Sequence, residues 1–513
     1  VLSNGHTTNT LNAESNKIAA NQVAQEKSYI LQGLSLNGLV SAVESAGGVV
    51  SKKFPIINAI SALLTLEQAS MLASSVGLRM MEDRTVLTEG NGSSFVIDTN
   101  VSVQTSANDL HNSNITGLGV RVAVLDSGML LDGIKGDHLR YNAYDAKRVY
   151  AKYDALAGTQ TRTLNDDGYG HGSHITSIIS SSLRDSHGNY NGIAPNADLI
   201  SIKAFDGNGV GSYSTTLDGL NWVYQNKDRF NIRVLNLSIG AKVQSTYWND
   251  PINQAVMSLW DAGVVVVTSA GNKGSEKGTL TVPGNVPYII TVGAVTDNYT
   301  PYDYSDDRMT TFSSQGPTYE GFVKPDVVAY GGHMAAKLDL SQVSSNFEPI
   351  SYGDDYYSVS GTSQAAAVVT GTVALMLQHS PWLTPDDVKC RLLSSASVSA
   401  VQGGDPFSKG AGLINAYYAV TNTNTGCANQ GLDIKADIAG TQHYIGPARA
   451  DALGNIYIDS SNGVVWSEAG IWNEAGIWNE AGIWNEEGIG NEAGSWNDCH
   501  LYTTDAADEE EGG

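Results

Sequence analysis

The chain has 513 residues, 41% of them hydrophobic and 55 of them glycine, enough for roughly two to four domains and at least one large core. A net charge of −24 argues against nucleic acid as a partner, which would need a basic patch. No apolar run reaches the ~18 residues of a membrane span, and three widely spaced cysteines, Cys390, Cys427 and Cys499, exclude a disulfide scaffold. Which two of the three pair is left open by their spacing. The chain begins at Val1 without an apolar signal core, so the expectation is a soluble protein lacking its signal peptide.

Residues 1–27 are polar and rich in Asn, Thr and Ala, and are expected to be loose. A compact block follows over 28–86. Tyr29-Ile30-Leu31 reads as a strand, and Leu36, Leu39, Val40 and Val43 have helical spacing up to Gly47-Gly48. Two further strands are expected at Val49-Val50 and from Ile56 to Leu63. Thr65-Leu66-Glu67-Gln68 has the form of a capping box and opens a second helix that stops at Gly77. The sum is a small α+β unit. Residues 87–110, with Gly90-Asn91-Gly92, read as an exposed linker.

Over 111–425 the pattern changes. Short apolar strands at Val120–Leu125, Leu199–Ala204, Val234–Leu237, Val264–Ser269 and Ile289–Val295 alternate with helical stretches. Such runs mark strands buried on both faces, so the fold class is a doubly wound α/β domain with a mostly parallel sheet. The remainder, 426–513, is an acidic extension. From Ala428 it holds 16 acidic residues against 2 basic ones, a net −14. Within it the hexad Glu-Ala-Gly-Ile-Trp-Asn recurs over 468–497, three times intact and twice imperfectly. An even period keeps each residue type on one face of an extended strand. A binding module with Trp platforms and a removable tail are both compatible with it.

Three segments carry chemistry. Val122–Gly128 is a buried strand ending in Asp126, at the edge where an open α/β sheet collects ligands. Alone, a strand-end Asp is more often a turn former. Gly168-Tyr169-Gly170-His171-Gly172-Ser173-His174 opens a helix, with glycines that let other groups approach His171. Two histidines three apart could suggest zinc, but H-E-x-x-H is absent, and His174 reads as a buried structural residue. Ser360-Gly361-Thr362-Ser363-Gln364-Ala365 precedes a long apolar helix, placing Ser363 at its N-terminus. Alone, Ser363 could be a helix cap. Together the three supply a hydroxyl, a base for its proton and a carboxylate to orient that base.

The motifs around Asp126, His171 and Ser363, in that chain order, resemble those of the subtilase family of serine peptidases over about 119–420. The resemblance implies endopeptidase chemistry on protein or peptide substrates, by way of an acyl-enzyme. It makes Asn272, after Ala270-Gly271, the candidate oxyanion donor. It makes Ser238-Ile239-Gly240 one wall of the substrate groove and the segment with Gly209, Gly211 and Ser212 the other. Phe312–Pro317, Lys324–Ala329 and Gly410–Ala416 resemble further family landmarks. The serine motif departs from the family's usual Met-Ala-x-Pro: here Gln364-Ala365-Ala366-Ala367 follows, without the proline.

Block 28–86 resembles the family's propeptide, implying a secreted zymogen that folds with, is inhibited by and then cuts away its own N-terminus within 84–110. No cofactor is expected for the chemistry. A structural calcium is implied by the family, and Asp303, Asp306 and Asp307 form an acidic loop that could hold one. A monomer active at neutral to alkaline pH is expected. The competing reading is a binding protein on an inactive peptidase fold.

Overall fold

A computed structural model describes residues 26–88, 101–131 and 137–459, apart from 74, 76, 186, 301, 340, 342, 344–349, 352–355 and 452–455, and also 483–484. The expected loose segment 1–27 and the hexads at 468–497 lie almost wholly outside the described residues.

The N-terminal unit is a sheet of β1 (Lys27–Gln32), β2 (Val49–Phe54), β3 (Ala59–Leu64) and β4 (Arg79–Glu82), in the order β2-β3-β1-β4, with helices α1 (Leu36–Ser45) and α2 (Leu66–Ala73). The Thr65–Gln68 capping box forms: the Thr65 N–H donates to Gln68 Oε1 at 2.9 Å and the Gln68 N–H to Thr65 Oγ1 at 3.3 Å. Strand alternation divides the unit's apolar residues. Leu31, Ile60, Ala62 and Leu64 join Leu39, Val43 and Leu72 in a small core of its own. Ile30, Phe54 and Ala59 belong instead to the main core of the chain.

The main body holds a nine-stranded sheet. Its parallel centre is formed by β6 (Arg121–Asp126), β7 (Val149–Asp154), β8 (Asp198–Lys203), β10 (Ile232–Leu237), β12 (Val265–Ser269), β14 (Ile290–Thr296) and β15 (Val327–Tyr330). Their order is β15-β14-β12-β10-β6-β8-β7, with short antiparallel strands beyond β14 and β7. The chain winds to one side of β6 through β7 and β8, then to the other from β10 onward. Between β6 and β10 lies the switch point, where an open α/β sheet forms its crevice. The helices beside it are α3 (His171–Ser180), α4 (Tyr213–Phe230), α5 (Pro251–Asp261) and α6 (Thr362–His379). α6 is buried from Thr362 to Leu377. The proline missing from its first turn does not interrupt it.

Two expected boundaries differ. The linker expected over 87–110 is described only at its two ends, and at the second of them 101–104 and 107–111 are short helices whose Val101, Ala107 and Leu110 sit in the main core. These few apolar residues are spread over two short helices among polar neighbours, so the polar composition hid them. The C-terminal extension expected from 426 begins inside the body. Cys427 is disulfide-bonded to Cys390, and Ala428 and Tyr444 are part of the main core. Asp437 accepts hydrogen bonds from Tyr247 at 2.5 Å and Tyr288 at 2.9 Å, and its other oxygen lies 2.7 Å from His443 Nδ1.

Four of the other short strands form the crevice rims. β9 (Val210–Ser212), β11 (Ile239–Lys242) and β13 (Thr281–Val282) make a second sheet with β5 (Thr85–Thr88), in the order β9-β5-β11-β13. β5 is antiparallel to both its neighbours. It is the last described strand of the N-terminal unit, inserted between two strands of the main body.

Polar contacts dock the rest of that unit on α4 and α5. Asp83 caps α4, accepting from the Ser214 N–H at 2.7 Å and the Ser214 hydroxyl at 2.5 Å. Arg84 pairs with buried Asp250 at 3.1 Å and stacks over Tyr213. Lys52 pairs with Asp218 at 2.9 Å.

Candidate active site

Asp126 is the last residue of β6 and is 1% exposed. Its Oδ1 accepts from the Ser127 N–H at 2.7 Å and lies 2.8 Å from His171 Nδ1, with Oδ2 at 3.0 Å from the same nitrogen. A carboxylate there holds the proton on Nδ1 and leaves Nε2 as the basic nitrogen. His171 is the first residue of α3. The helix can start there because Gly170 has φ +98°, and because Gly172 passes close to the strand-end loop. A methyl group at 172 would lie 2.4 Å from the Gly128 carbonyl oxygen.

Asp167 organises this turn, a role the sequence did not reveal. Its Oδ1 accepts from the Ser127 hydroxyl and the Gly170 N–H, both at 2.7 Å. Its Oδ2 accepts from the N–H and hydroxyl of Ser173 at 2.8 and 2.6 Å. The only signal in the sequence is an acid four residues before His171.

Ser363 is the second residue of α6 and is fully buried. Its hydroxyl donates to the Ser238 carbonyl at 3.3 Å, and the Ser238 hydroxyl donates to the Ser363 carbonyl at 3.1 Å. Behind Ser238 the Asn236 amide donates to the Ser238 hydroxyl at 2.9 Å and accepts from Thr370 at 2.8 Å. This chain of bonds locks α6 against the end of β10. Asn272 follows β12. Its Oδ1 accepts from the N–H and hydroxyl of Thr362 at 3.0 and 2.9 Å, which directs the amide NH₂ to the opposite side. Thr362 therefore orients Asn272, a second role not read from sequence. Its hydroxyl also accepts from the Gly271 N–H at 3.2 Å.

The expected groove walls are β9 and β11. Ile239 faces Thr88 and Gly240 faces Leu87 across one edge of β5. Val210, Gly211 and Ser212 face Leu87, Val86 and Thr85 across the other. Gly209, at φ +73°, must lack a side chain, since a Cβ would lie 2.6 Å from the Tyr169 ring and 2.8 Å from the Thr88 hydroxyl. Ala270 and Gly271 are buried behind β13, with the Thr281 N–H donating to the Ala270 carbonyl at 3.1 Å.

The acidic loop does not converge on one point. Asp303 accepts from Ser305, Asp306 from Asn298 and Thr300, and Asp307 from the Tyr330 hydroxyl at 2.6 Å. Among the described residues no group of three or more His, Cys, Asp or Glu is placed to hold a metal ion. His171 and His174 likewise turn to different partners, His174 Nε2 lying 3.2 Å from the Tyr357 carbonyl.

His174 is fully buried, and burial, with a smaller effect from His171, pushes its pKa down to about 3. The unfolded chain binds its proton near the ordinary value of 6.5, whereas the native state does not. The stability from a neutral His174 is thus complete above about pH 6.5 and is lost as pH falls towards 3. Each pH unit in that window costs at most about 1.4 kcal/mol. Glu320, raised to about 7 by burial, acts with the opposite sign below pH 7. The measurement is therefore a difference: His174→Asn should lose less unfolding temperature between pH 7 and pH 5 than the parent. Equal losses would show that His174 does not titrate this way.

Residues 117–424 match the model of the subtilase family of peptidases. Serine protease AprX of Bacillus subtilis (strain 168) is 34% identical over 316 residues, 60% of this chain and 68% of that one. Subtilisin E of the same strain is 31% identical over 405 residues, 77% of this chain and 91% of that one. Fervidolysin of Fervidobacterium pennivorans, described as a keratinolytic enzyme related to subtilisin, superimposes with a TM-score of 0.61 at 22% identity. That likeness covers 79% of this chain and 62% of fervidolysin, and speaks to the fold alone. The chain belongs to the subtilase family: it is a subtilisin-like serine peptidase, a hydrolase of peptide bonds that needs no cofactor for the chemistry.

Proposed function

We propose that this protein is a secreted, self-processing serine endopeptidase, monomeric, with Asp126, His171, Ser363 and Asn272 as its catalytic groups. The observation that carries the reading is the pairing of β5 between β9 and β11, beside buried Ser363 and the Asp126–His171 pair. A substrate bound there adds as a strand by main-chain hydrogen bonds. Ser363 Oγ attacks the carbonyl carbon while its proton passes to His171 Nε2. The oxyanion is held by the Ser363 N–H and the Asn272 amide. Asp126 stabilises the imidazolium, which returns the proton to the leaving amine. Water then repeats the sequence on the acyl-enzyme.

In this reading residues 28–86 are a propeptide that blocks the groove and folds with the body, and 111–425, continued by the packed segment to 459, is the catalytic domain. The alignment with subtilisin E, at 405 residues, is longer than the family match, which supports homology outside the catalytic part. The Cys390–Cys427 disulfide suits an oxidising, extracellular setting. Among the described residues no helix is long and apolar enough to cross a membrane.

The test compares the full-length protein with a Ser363→Ala copy by intact mass at neutral pH. The parent should lose ~10 kDa from its N-terminus and the copy none. If both stay whole and neither cleaves casein, the reading fails. Asn272→Leu is expected to lower kcat by about 10²–10³ with KM little changed, the size that loss of the oxyanion-hole asparagine has in subtilisin. A loss under about threefold would remove Asn272 from the oxyanion role.

A further inference from the structure

We propose that Lys203, assisted by Lys152, is a positioning residue for the peptidase reaction: its ammonium group ties the loop after Asp126 to the turn before His171 and holds a positive charge at their junction. This deepens the peptidase reading above and rests on Asp126 and His171 acting as argued there.

Lysine inside a sheet is costly unless its ammonium group finds acceptors. Lys203 ends β8, opposite Asp126 of β6 on one side and Asp154 of β7 on the other. Lys152 of β7 lies opposite Ser201, two residues before Lys203. Aligned residues of parallel strands share a face, and so do alternate residues of one strand. Asp126, Lys203 and Lys152 therefore project to the same side of the sheet, the side of α3. There the two lysines bond the same pair of segments. Lys203 Nζ donates to the Ser127 carbonyl at 3.2 Å and to the Asp166 carbonyl. Lys152 Nζ donates to the Met129 carbonyl at 3.2 Å and the Leu164 carbonyl at 3.1 Å, and pairs with Asp166 Oδ1 at 2.7 Å. Each takes one carbonyl from the loop that follows Asp126 and one from the turn that leads to His171.

The spacing of those two segments sets the spacing of the acid and the base. The Ser127 N–H is bonded to Asp126 Oδ1, and Asp166 precedes Asp167, which accepts from the Gly170 N–H beside His171. A shift of the Ser127 or Asp166 peptide thus reaches the 2.8 Å contact between Asp126 and His171 within a few bonds. A misplacement of 1 Å can cost about 100-fold in rate. Charge acts in the same place. The carboxylates around this junction are Asp126 on β6, Asp154 on β7, and Asp166 and Asp167 on the turn. The cations are Lys152 and Lys203. His174 of α3 is neutral, and the Tyr169 ring lies 6.5 Å from the imidazole. Taking away the Lys203 charge leaves the carboxylates in greater excess, which favours the imidazolium and moves the acid limb of kcat/KM to higher pH.

The test is Lys203→Met in the full-length protein, which keeps the stem but neither donor nor charge. Kinetics are read on a fluorogenic peptide, with processed enzyme counted by fluorophosphonate labelling. The kcat should fall about tenfold, with KM within about twofold of the parent's because the groove walls β9 and β11 stay in place. The acid limb of kcat/KM should rise by about half a pH unit. Lys203→Gln keeps a donor without the charge. It should recover part of kcat and show the same rise, and it carries the test if Lys203→Met does not accumulate as folded protein. Lys227→Met, in the last turn of α4, should change neither quantity. An acid limb that does not rise, or a kcat within about threefold of the parent's, overturns the positioning role. A higher KM with kcat unchanged overturns it too. These results leave the peptidase reading standing, whereas a parent without activity overturns both.

Discussion

Ser363→Ala is expected to abolish casein hydrolysis and self-processing together, with a fall in kcat of about 10⁶, the size that loss of the nucleophile has in subtilisin. Without Oγ there is no acyl-enzyme, and water would have to attack the unreactive amide directly. The variant should still fold. It removes one oxygen at the head of α6, while the Ser238 hydroxyl keeps its bond to the Ser363 carbonyl and the Asn236–Thr370 bond behind it stays. Its unfolding temperature should therefore stay within a few degrees of the parent's, which separates chemistry from collapse. Activity above ~1% in a contaminant-free preparation would show that Ser363 is not the nucleophile. An uncut variant should also keep residues 28–86 attached and remain the most convenient form in which to study the docked state.

Asp326→Ala is expected to be the most destabilising single change outside the active site. Asp326 is fully buried, with Lys324 Nζ at 2.5 Å from one oxygen and Lys389 Nζ at 3.1 Å from the other. The same carboxylate accepts from the Thr291 N–H at 2.8 Å, joining β14 to the segment before β15. Lys389 also donates to the carbonyls of Pro287 and Tyr288 and to Asn429, and Lys324 donates to the Ile289 carbonyl. Burial already pushes the Lys324 pKa down to about 7, and Asp326 is the chief group opposing that fall. Removing the carboxylate takes the counter-charge and an acceptor from two buried amines, which must then give up a proton or remain charged and unpaired. Loss of one partner of a buried pair costs about 3–5 kcal/mol. The expected readout is a large drop in unfolding temperature or failure to accumulate as folded protein. Asp326→Asn keeps the Thr291 acceptor but not the charge, so it should recover only a small part. A drop of less than about 1 kcal/mol for the alanine variant would mean that the lysines are neutral or relieved by water.

The sequence by itself was enough for the parts of this protein that depend on short-range pattern. Apolar runs such as Val122–Leu125 and Val264–Val267 fit strands buried on both faces, so the α/β sheet was legible in the chain. The same is true of the Thr65–Gln68 capping box, where the residues that bond are three apart. The motifs around Asp126, His171 and Ser363 were readable because each of these residues sits at the end of an element that its neighbours define. Only the tertiary structure decided what depends on residues far apart in the chain. It brought Asp126 to within 2.8 Å of His171, turned Asn272 by means of Thr362, and paired Cys390 with Cys427. It drew residues 101–111 and 427–444 into the body, although their composition reads as linker and tail. Above all it set β5 between β9 and β11 in one register. That register depends on the burial of Val86 and the docking of a separate sheet on α4 and α5. Local sequence cannot encode such a choice, because a strand of alternating residues pairs equally well at several offsets until a packed face selects one.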